Sequence, residues 1–198
     1  MKGNRWEDHY TRRARQEQWR ARSVYKLKEI DARFKILRKG SKVLDLGCHP
    51  GSWSQYCLSR VGAEGIVVGI DLAPMKKLPA VNFHFIQADI NEIDKVLPAD
   101  FMLRADAVLS DMAPATTGSR VTDSARSFEL GSKALETAEK MLNKDGVFVC
   151  KLLEGEPVKD FAAKVNTRFN EVRIYRPKAT RKRSSEVYVV GKGFTGPL

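Results

Sequence analysis

Cysteine and histidine are scarce in this chain of 198 residues, with three of each. Cys48, Cys57 and Cys150 form no C-x-x-C pair and are odd in number, so a disulfide framework is not expected. Cys57 and Cys150 sit in apolar segments, as buried reduced thiols of a cytosolic protein do. His9, His49 and His84 are scattered, so no metal site is expected. No apolar run approaches the length of a membrane span, and the N-terminus lacks the apolar stretch of a secretory signal. Its arginines would suit a transit peptide, but Glu7, Asp8 and Glu17 argue against one. The expected location is the cytoplasm, with no membrane partner. Also missing is G-x-G-x-x-G, which disfavours a nicotinamide cofactor, and G-x-x-x-x-G-K-[ST], which excludes a P-loop. No internal repeat and no linker divides the chain.

Charge is abundant but unevenly placed. The net charge is +11. Residues 1–40 carry 13 Lys/Arg against 5 Asp/Glu, and residues 168–183 carry 7 against 1, which leaves the rest of the chain at −3. Basicity confined to two segments marks a polyanion partner, because neutralising phosphates releases counterions. A merely solvated basic surface, or attraction to anionic lipid, is the alternative. No long apolar face accompanies these segments, so nucleic acid is the better reading.

Residues 1–40 read as a basic helical N-terminal extension, and 41–198 as the main domain, together one structural unit. Hydrophobic residues at 42% suffice for one core. In the extension Trp6, Tyr10 and Trp19 interleave with Arg5, Arg12, Arg13, Arg15, Arg20 and Arg22, while Val24, Leu27, Ile30 and Phe34 recur at helical spacing. Apolar strand candidates lie at 42–47, 65–71, 83–89, 105–111 and 146–152. Ser52–Val61 and Val121–Leu142 read as helices, with Asn143–Gly146 as a stop and turn. Strands separated by helices imply a parallel sheet with right-handed crossovers. Residues 172–177 and 186–193 are joined by a short basic loop, which implies an antiparallel pair.

Four acids fall at predicted strand ends: Asp45, Asp71, Asp89 and Asp111. Ligands of open α/β sheets bind beyond these carboxyl ends. A single such acid is as well explained as a helix N-cap or turn residue. Four in register point to a nucleoside-type ligand, with Asp71 accepting ribose hydroxyls and Asp89 accepting from an adenine amino group. Gly47 permits close backbone approach, and Gly51 would aim helix amides at a carboxylate. Trp53 is either a pocket wall or core. No N-P-P-Y-like element follows the fourth strand. Lys151 at a buried strand end suggests a working amine.

The segment Val43–Ser54, reading VLDLGCHPGSWS, carries D-x-G-x-x-P-G and resembles the S-adenosylmethionine loop of class I methyltransferases. Together with RSVYKLKEID, DLAPM, QADI, SDMAP, KLLEGE and SSEVYVVGKG, it makes nearly the whole chain resemble the FtsJ-type ribosomal RNA 2′-O-ribose methyltransferases. The resemblance implies an α/β, Rossmann-like class I fold: a mostly parallel seven-stranded sheet, an antiparallel last strand and helices on both faces. It implies S-adenosyl-L-methionine as methyl donor, S-adenosyl-L-homocysteine as product, and a uridine ribose of large-subunit ribosomal RNA as acceptor. Asp45, Gly47, Pro50, Gly51, Trp53, Asp71, Leu72, Asp89, Ile90 and Asp111 become the cofactor candidates. Lys26, Asp111, Lys151 and Glu186 become the catalytic tetrad. Lys151 would promote loss of the 2′-hydroxyl proton, Asp111 and Glu186 would orient it, and Lys26 would bind the acceptor. The alternative is two surface salt bridges, Lys26–Glu186 and Lys151–Asp111, which taken singly is the better reading of Lys26 and Glu186.

Arg12, Arg13, Arg20, Arg22, Arg181, Lys182 and Arg183 are the RNA-contact candidates, with Tyr10 and Trp19 available for stacking. Cys48-His49, Ser52 and Ala115 depart from the family pattern. A monomer without metal is expected. Transfer RNA or an mRNA cap as acceptor, or a non-catalytic ribosome-assembly role, are the competing readings.

Overall fold

A computed structural model describes residues 8–96 and 104–196. Arg5, Trp6 and Glu7 of the basic segment therefore lie outside the described residues.

The described residues begin with two short helices, α1 (His9–Gln16) and α2 (Val24–Phe34). Strand β1 (Lys42–Leu46), helix α3 (Ser52–Val61), β2 (Ile66–Asp71) and β3 (Phe83–Gln87) come next. A 3-10 turn at Ile90–Glu92 leads into the single turn α4 (Ile93–Val96). Then come β4 (Ala105–Ser110), α5 (Arg120–Met141), β5 (Leu142–Leu153), α6 (Pro157–Asn166), β6 (Phe169–Tyr175) and β7 (Glu186–Phe194). The seven strands form one sheet in the order β3-β2-β1-β4-β5-β7-β6. Pairing is parallel from β3 to β5, and β7 runs antiparallel to both of its neighbours. This is the expected mixed sheet. The connection order reverses between β1 and β4, the place where open α/β sheets bind ligands.

Strand alternation explains how both faces are covered. Val43, Val67, Leu109, Val149 and Val190 face one core, against Val24, Leu27 and Ile30 of α2 and Tyr56, Cys57 and Val61 of α3. Leu44, Val68, Val108, Phe148 and Val189 face the other, against Ala134 and Ala138 of α5 and Val158, Phe161 and Val165 of α6. All three cysteines are buried and free. Among the described residues no helix is long and apolar enough to cross a membrane.

Residues 8–40 hold two helices separated by a break, the second carrying the apolar positions Val24, Leu27, Ile30 and Phe34. The structure departs from the sequence reading in two places. Helix α6 was not anticipated. The predicted stop at Asn143–Gly146 is an irregularity inside β5: Ala105 pairs with Leu142, and regular pairing resumes at Ala107 with Val147. Asp145 takes a left-handed φ of 64°. The Asn143 side chain donates to the Arg104 carbonyl and to Asp106 Oδ1, at 3.2 and 3.0 Å. Turn-forming residues thus became a bulge because neighbouring β4 supplies the partners.

Asp31 fastens α2 to the loop after it and to α3. Its Oδ1 accepts from the amides of Ile36 and Leu37 at 3.1 and 3.0 Å. Its Oδ2 accepts from the Tyr56 hydroxyl at 2.8 Å and from Arg60 Nε at 3.0 Å. Removing this carboxylate orphans three buried donors, the amides of Ile36 and Leu37 and the Tyr56 hydroxyl. Asp31→Ala is therefore expected to lower unfolding free energy by about 3 kcal/mol, measured by denaturant titration. A loss within experimental error would contradict this role.

Candidate active site

The carboxyl ends of β1, β2 and β4 enclose a cavity of about 380 Å3. Six of the sequence-predicted cofactor residues line it: Gly47, Asp71, Leu72, Asp89, Ile90 and Asp111. Leu46, Ile70, Met112 and Leu130 add apolar wall, and Asn91 and His49 add polar groups. Gly47 has φ 72°. A Cβ there would stand 2.5 Å from Met112 Cγ, so only glycine lets the loop pass this wall. Asp71 Oδ2 accepts from the His49 amide and Oδ1 from the Ala73 amide, both at 2.8 Å. Asp89 Oδ1 accepts from the Asn91 amide and side chain, at 2.8 and 2.9 Å. These bonds fix both carboxylates, and each keeps lone pairs that a ligand can use.

Asp45, Pro50, Gly51 and Trp53, also named as cofactor candidates, are not among the residues that line this cavity. Trp53 is buried in the core, donates from Nε1 to the Ser23 carbonyl at 3.0 Å and packs against Tyr188 at 5.9 Å between ring centres. Gly51 lies beneath Met75 and Arg20, which a Cβ would meet at 2.8 and 3.0 Å. Asp45 is 0 % exposed and accepts from Ser54 Oγ at 2.6 Å. It supports the loop from below.

Beside the cavity stands a cluster of charged side chains. Lys26 Nζ donates to Glu186 Oε2 at 2.7 Å and lies 3.9 Å from Asp111 Oδ1. Lys151 Nζ is 3.2 Å from the same Asp111 oxygen and also donates to the Asp111 carbonyl. The predicted pairs do form, but they are not surface salt bridges: Lys26 is 8 % exposed and Lys151 6 %. Strand alternation brings three members together. Asp111 follows Ala107 and Leu109, and Lys151 follows Val147 and Val149, on the face that α2 covers. Tyr188 is directly opposite Lys151 in the β5–β7 ladder, with Glu186 two residues before it.

Tyr188 itself escaped the sequence reading. It is 0 % exposed, and its hydroxyl donates to Asp111 Oδ1 at 2.7 Å. Burial first, then the charges of Asp111 and Glu186, push its phenol well above the ordinary range, so it remains a donor. Its place two residues after Glu186, on the same strand face, was the available signal.

Residues 18–23, between α1 and α2, are bonded to the turn that opens α3. Gln55 donates from Nε2 to the Gln18 carbonyl at 3.0 Å, and its Oε1 accepts from the Arg20 amide at 3.1 Å. Arg20 Nη1 donates to the carbonyls of Pro50 and Lys76, at 3.1 and 2.6 Å, and Nη2 to that of Lys77 at 3.1 Å. Ser23 and Ser52 share a hydrogen bond of 2.8 Å. Ser52, one of the departures from the family pattern, thus has a partner.

This changes the RNA-contact set. Arg20 is committed to three backbone carbonyls, and Arg22 to Asp8 and the Ala179 carbonyl. Both were expected to contact phosphate, and both guanidiniums are instead bonded within the protein. Arg13 pairs with Glu17 at 2.6 Å and stands over the Tyr25 ring. Tyr10 and Trp19 are half-buried and packed against the core, and Lys28 covers the Trp19 ring. Arg12, Lys182 and Arg183 are exposed, and Arg181 is exposed while pairing with Asp8 at 3.2 Å. The two basic segments meet there, because Glu29 of α2 accepts from the amides of Lys178 and Ala179. Among the described residues no cluster of three or more His, Cys, Asp or Glu side chains could hold a metal ion.

Asp45 has a titration that can be tested. Burial pushes its carboxyl up to about 7; the Ser54 bond opposes this, and the charges of Asp111 and Asp71 add to it. Its Oδ1 is buried without a partner. A carboxyl raised in the native state contributes stability that is full below about pH 4 and lost as pH rises toward 7. Asp45→Asn cannot ionise, so its denaturation midpoint should gain on wild type between pH 4 and pH 7. Parallel curves for the two proteins would show that Asp45 does not titrate there.

Comparison with known proteins agrees with this arrangement. The model of the FtsJ-like methyltransferase family matches residues 19–194. Ribosomal RNA large subunit methyltransferase E of Desulforapulum autotrophicum is 46% identical over 192 residues, which cover 97% of this chain and 95% of that protein. The protein of the same name from Bdellovibrio bacteriovorus is 46% identical over 187 residues, covering 93% and 95%. A crystal structure described as a ribosomal RNA methyltransferase from Plasmodium falciparum gives a TM-score of 0.82 at 29% identity, covering 90% of this chain and 100% of that one. With a family match over most of its length and relatives similar nearly end to end, the chain belongs to the FtsJ-like methyltransferase family.

Proposed function

We propose that this protein transfers a methyl group from S-adenosylmethionine to a ribose 2′-hydroxyl of large-subunit ribosomal RNA, at a uridine, in the cytoplasm. One observation carries the reading: Asp111 both lines the strand-end cavity and anchors the buried Lys26–Lys151–Glu186 cluster. A donor site and a proton-handling centre therefore share one side chain. The names of the Desulforapulum and Bdellovibrio relatives, both ribosomal RNA large subunit methyltransferase E, support this acceptor over transfer RNA or an mRNA cap.

The cavity fits the methyl donor by its chemistry. Asp71 and Asp89 offer carboxylate oxygens suited to ribose hydroxyls and an exocyclic amine, while Leu72, Ile90, Met112 and Leu130 supply apolar walls for a purine. Leu72 is 66 % exposed, an apolar side chain that a bound base would cover. S-adenosylmethionine would supply a methyl already activated by its sulfonium. The protein's share is to hold the acceptor in line and assist loss of its proton. Lys151 Nζ, held by the Asp111 carboxylate and carbonyl, is placed to promote that loss through its amine or its charge. Lys26, held by Glu186, binds the acceptor ribose or phosphate. Tyr188 fixes the Asp111 carboxylate and so positions Lys151.

Lys151→Ala is expected to retain donor binding by calorimetry and to lose methyl transfer by about a hundredfold or more. Near-normal transfer by this variant would remove Lys151 from the mechanism. Asp71→Ala should instead weaken donor binding by about tenfold or more, because a charged acceptor of hydroxyl bonds is lost. The whole reading is checked by offering labelled donor with large subunits, free ribosomal RNA and transfer RNA, then mapping alkali-resistant linkages. Label on a base, or on no RNA, refutes it.

A further inference from the structure

At the pole of the sheet opposite the catalytic cluster lies a second cavity, of about 390 Å3. It sits where β1 begins, where β5 resumes regular pairing and where β7 ends. Lys35, Arg38, Lys39, Lys144 and Lys192 line it. Two acids accompany them, Asp106 and Asp145. Asp106 is already engaged, because Oδ2 accepts from the Lys42 amide at 2.8 Å and Oδ1 from Asn143 at 3.0 Å. Lys192 Nζ donates to the Phe34 carbonyl at 2.8 Å. Among the described residues, no carboxylate forms an ion pair with Lys35, Arg38, Lys39 or Lys144.

Five cations against two carboxylates leave the concavity with a net positive charge, which raises the local potential and attracts anions. No aromatic ring lines the cavity, so it offers no platform for a base. Its chemistry is that of backbone recognition, which positions a nucleic acid without reading sequence. Several cations around an open concavity suit successive phosphates of a chain better than one free anion. Distance separates this cavity from the reacting ribose. The five residues of β1 rise about 17 Å, which corresponds to about five phosphates along one stacked strand. Helix α2 explains why the basic N-terminal segment serves both poles: it carries the chain from Lys26 at the catalytic cluster to Lys35 at this cavity.

We propose that this cavity is a remote docking site for the phosphodiester backbone of the RNA substrate, engaging a segment other than the one that is methylated. The inference rests on RNA being the acceptor. Arg38, Lys39 and Lys144 are exposed and belong to no catalytic contact, so Arg38→Gln/Lys39→Gln/Lys144→Gln tests it directly. The triple variant should bind long ribosomal RNA about tenfold or more weakly, with a log–log salt slope shallower by about two. Its kcat at saturating RNA should match wild type, and on a short oligonucleotide holding only the target loop the two proteins should be equal. Unchanged affinity and slope on long RNA overturns the proposal, as does an equal loss on the short one. Lysine acylation of the wild-type protein, read by mass spectrometry, gives a test independent of any variant's folding. Long RNA should protect Lys39 and Lys144 and leave Lys159 on α6 reactive. No protection, or equal protection by inorganic phosphate, overturns the docking site. A wild-type protein that methylates RNA while this cavity stays silent refutes the docking site alone. A wild-type protein that methylates no RNA removes the proposed function, and this inference with it.

Discussion

Two ammonium groups, Lys26 and Lys151, are buried within reach of a single carboxylate oxygen, Asp111 Oδ1. An uncompensated charge in such a place costs several kcal/mol. The two cations are tolerated because Asp111 and Glu186 balance them one for one, and because Tyr188 adds a neutral donor to the shared oxygen. The same balance holds the cluster together. Asp111 follows the end of β4, at the point where the sheet's connection order reverses, so its backbone is set by the sheet. Its side chain then faces the cavity on one side and the lysines on the other.

The position of Lys26 depends on a second set of bonds. Besides the apolar face of α2 and the bonds of Asp31, the segment before the helix is fastened to the turn that opens α3. Arg20, Ser23, Ser52, Trp53 and Gln55 make these contacts. The segment that carries the acceptor-side lysine and the loop beside the donor cavity therefore form one packed unit. Side chains that look like surface features in the sequence, an arginine and two serines, act here as internal fasteners.

Much of the fold was legible because apolar runs of strand length, separated by helical periodicity, admit few topologies. The strand-end acids were legible for the same reason: a strand's last residue is marked by the turn after it. Helix α6 was legible in principle, since Val158, Phe161 and Val165 keep helical spacing, but its short span between strands hid it. Arg20 and Arg22 were misread because charge was equated with solvent, whereas unpaired loop carbonyls recruit guanidinium donors. The sequence leaves Trp53 open between pocket wall and core and counts Asp45 with the cofactor, because position next to a binding loop does not say whether a side chain points up into a cavity or down into the core.

Sequence alone determined which groups were available and which face they would share. With alternation fixed at a period of two, Asp111, Lys151, Glu186 and Tyr188 had to project to one side once their strands were in register. Only the tertiary structure decided that they would meet. That required β7 to insert antiparallel between β5 and β6, and α2 to dock over that face with a lysine 160 positions from its glutamate partner. Such pairings are non-local: local propensity carries no information about them, and the burial of two apolar cores around one sheet selects them.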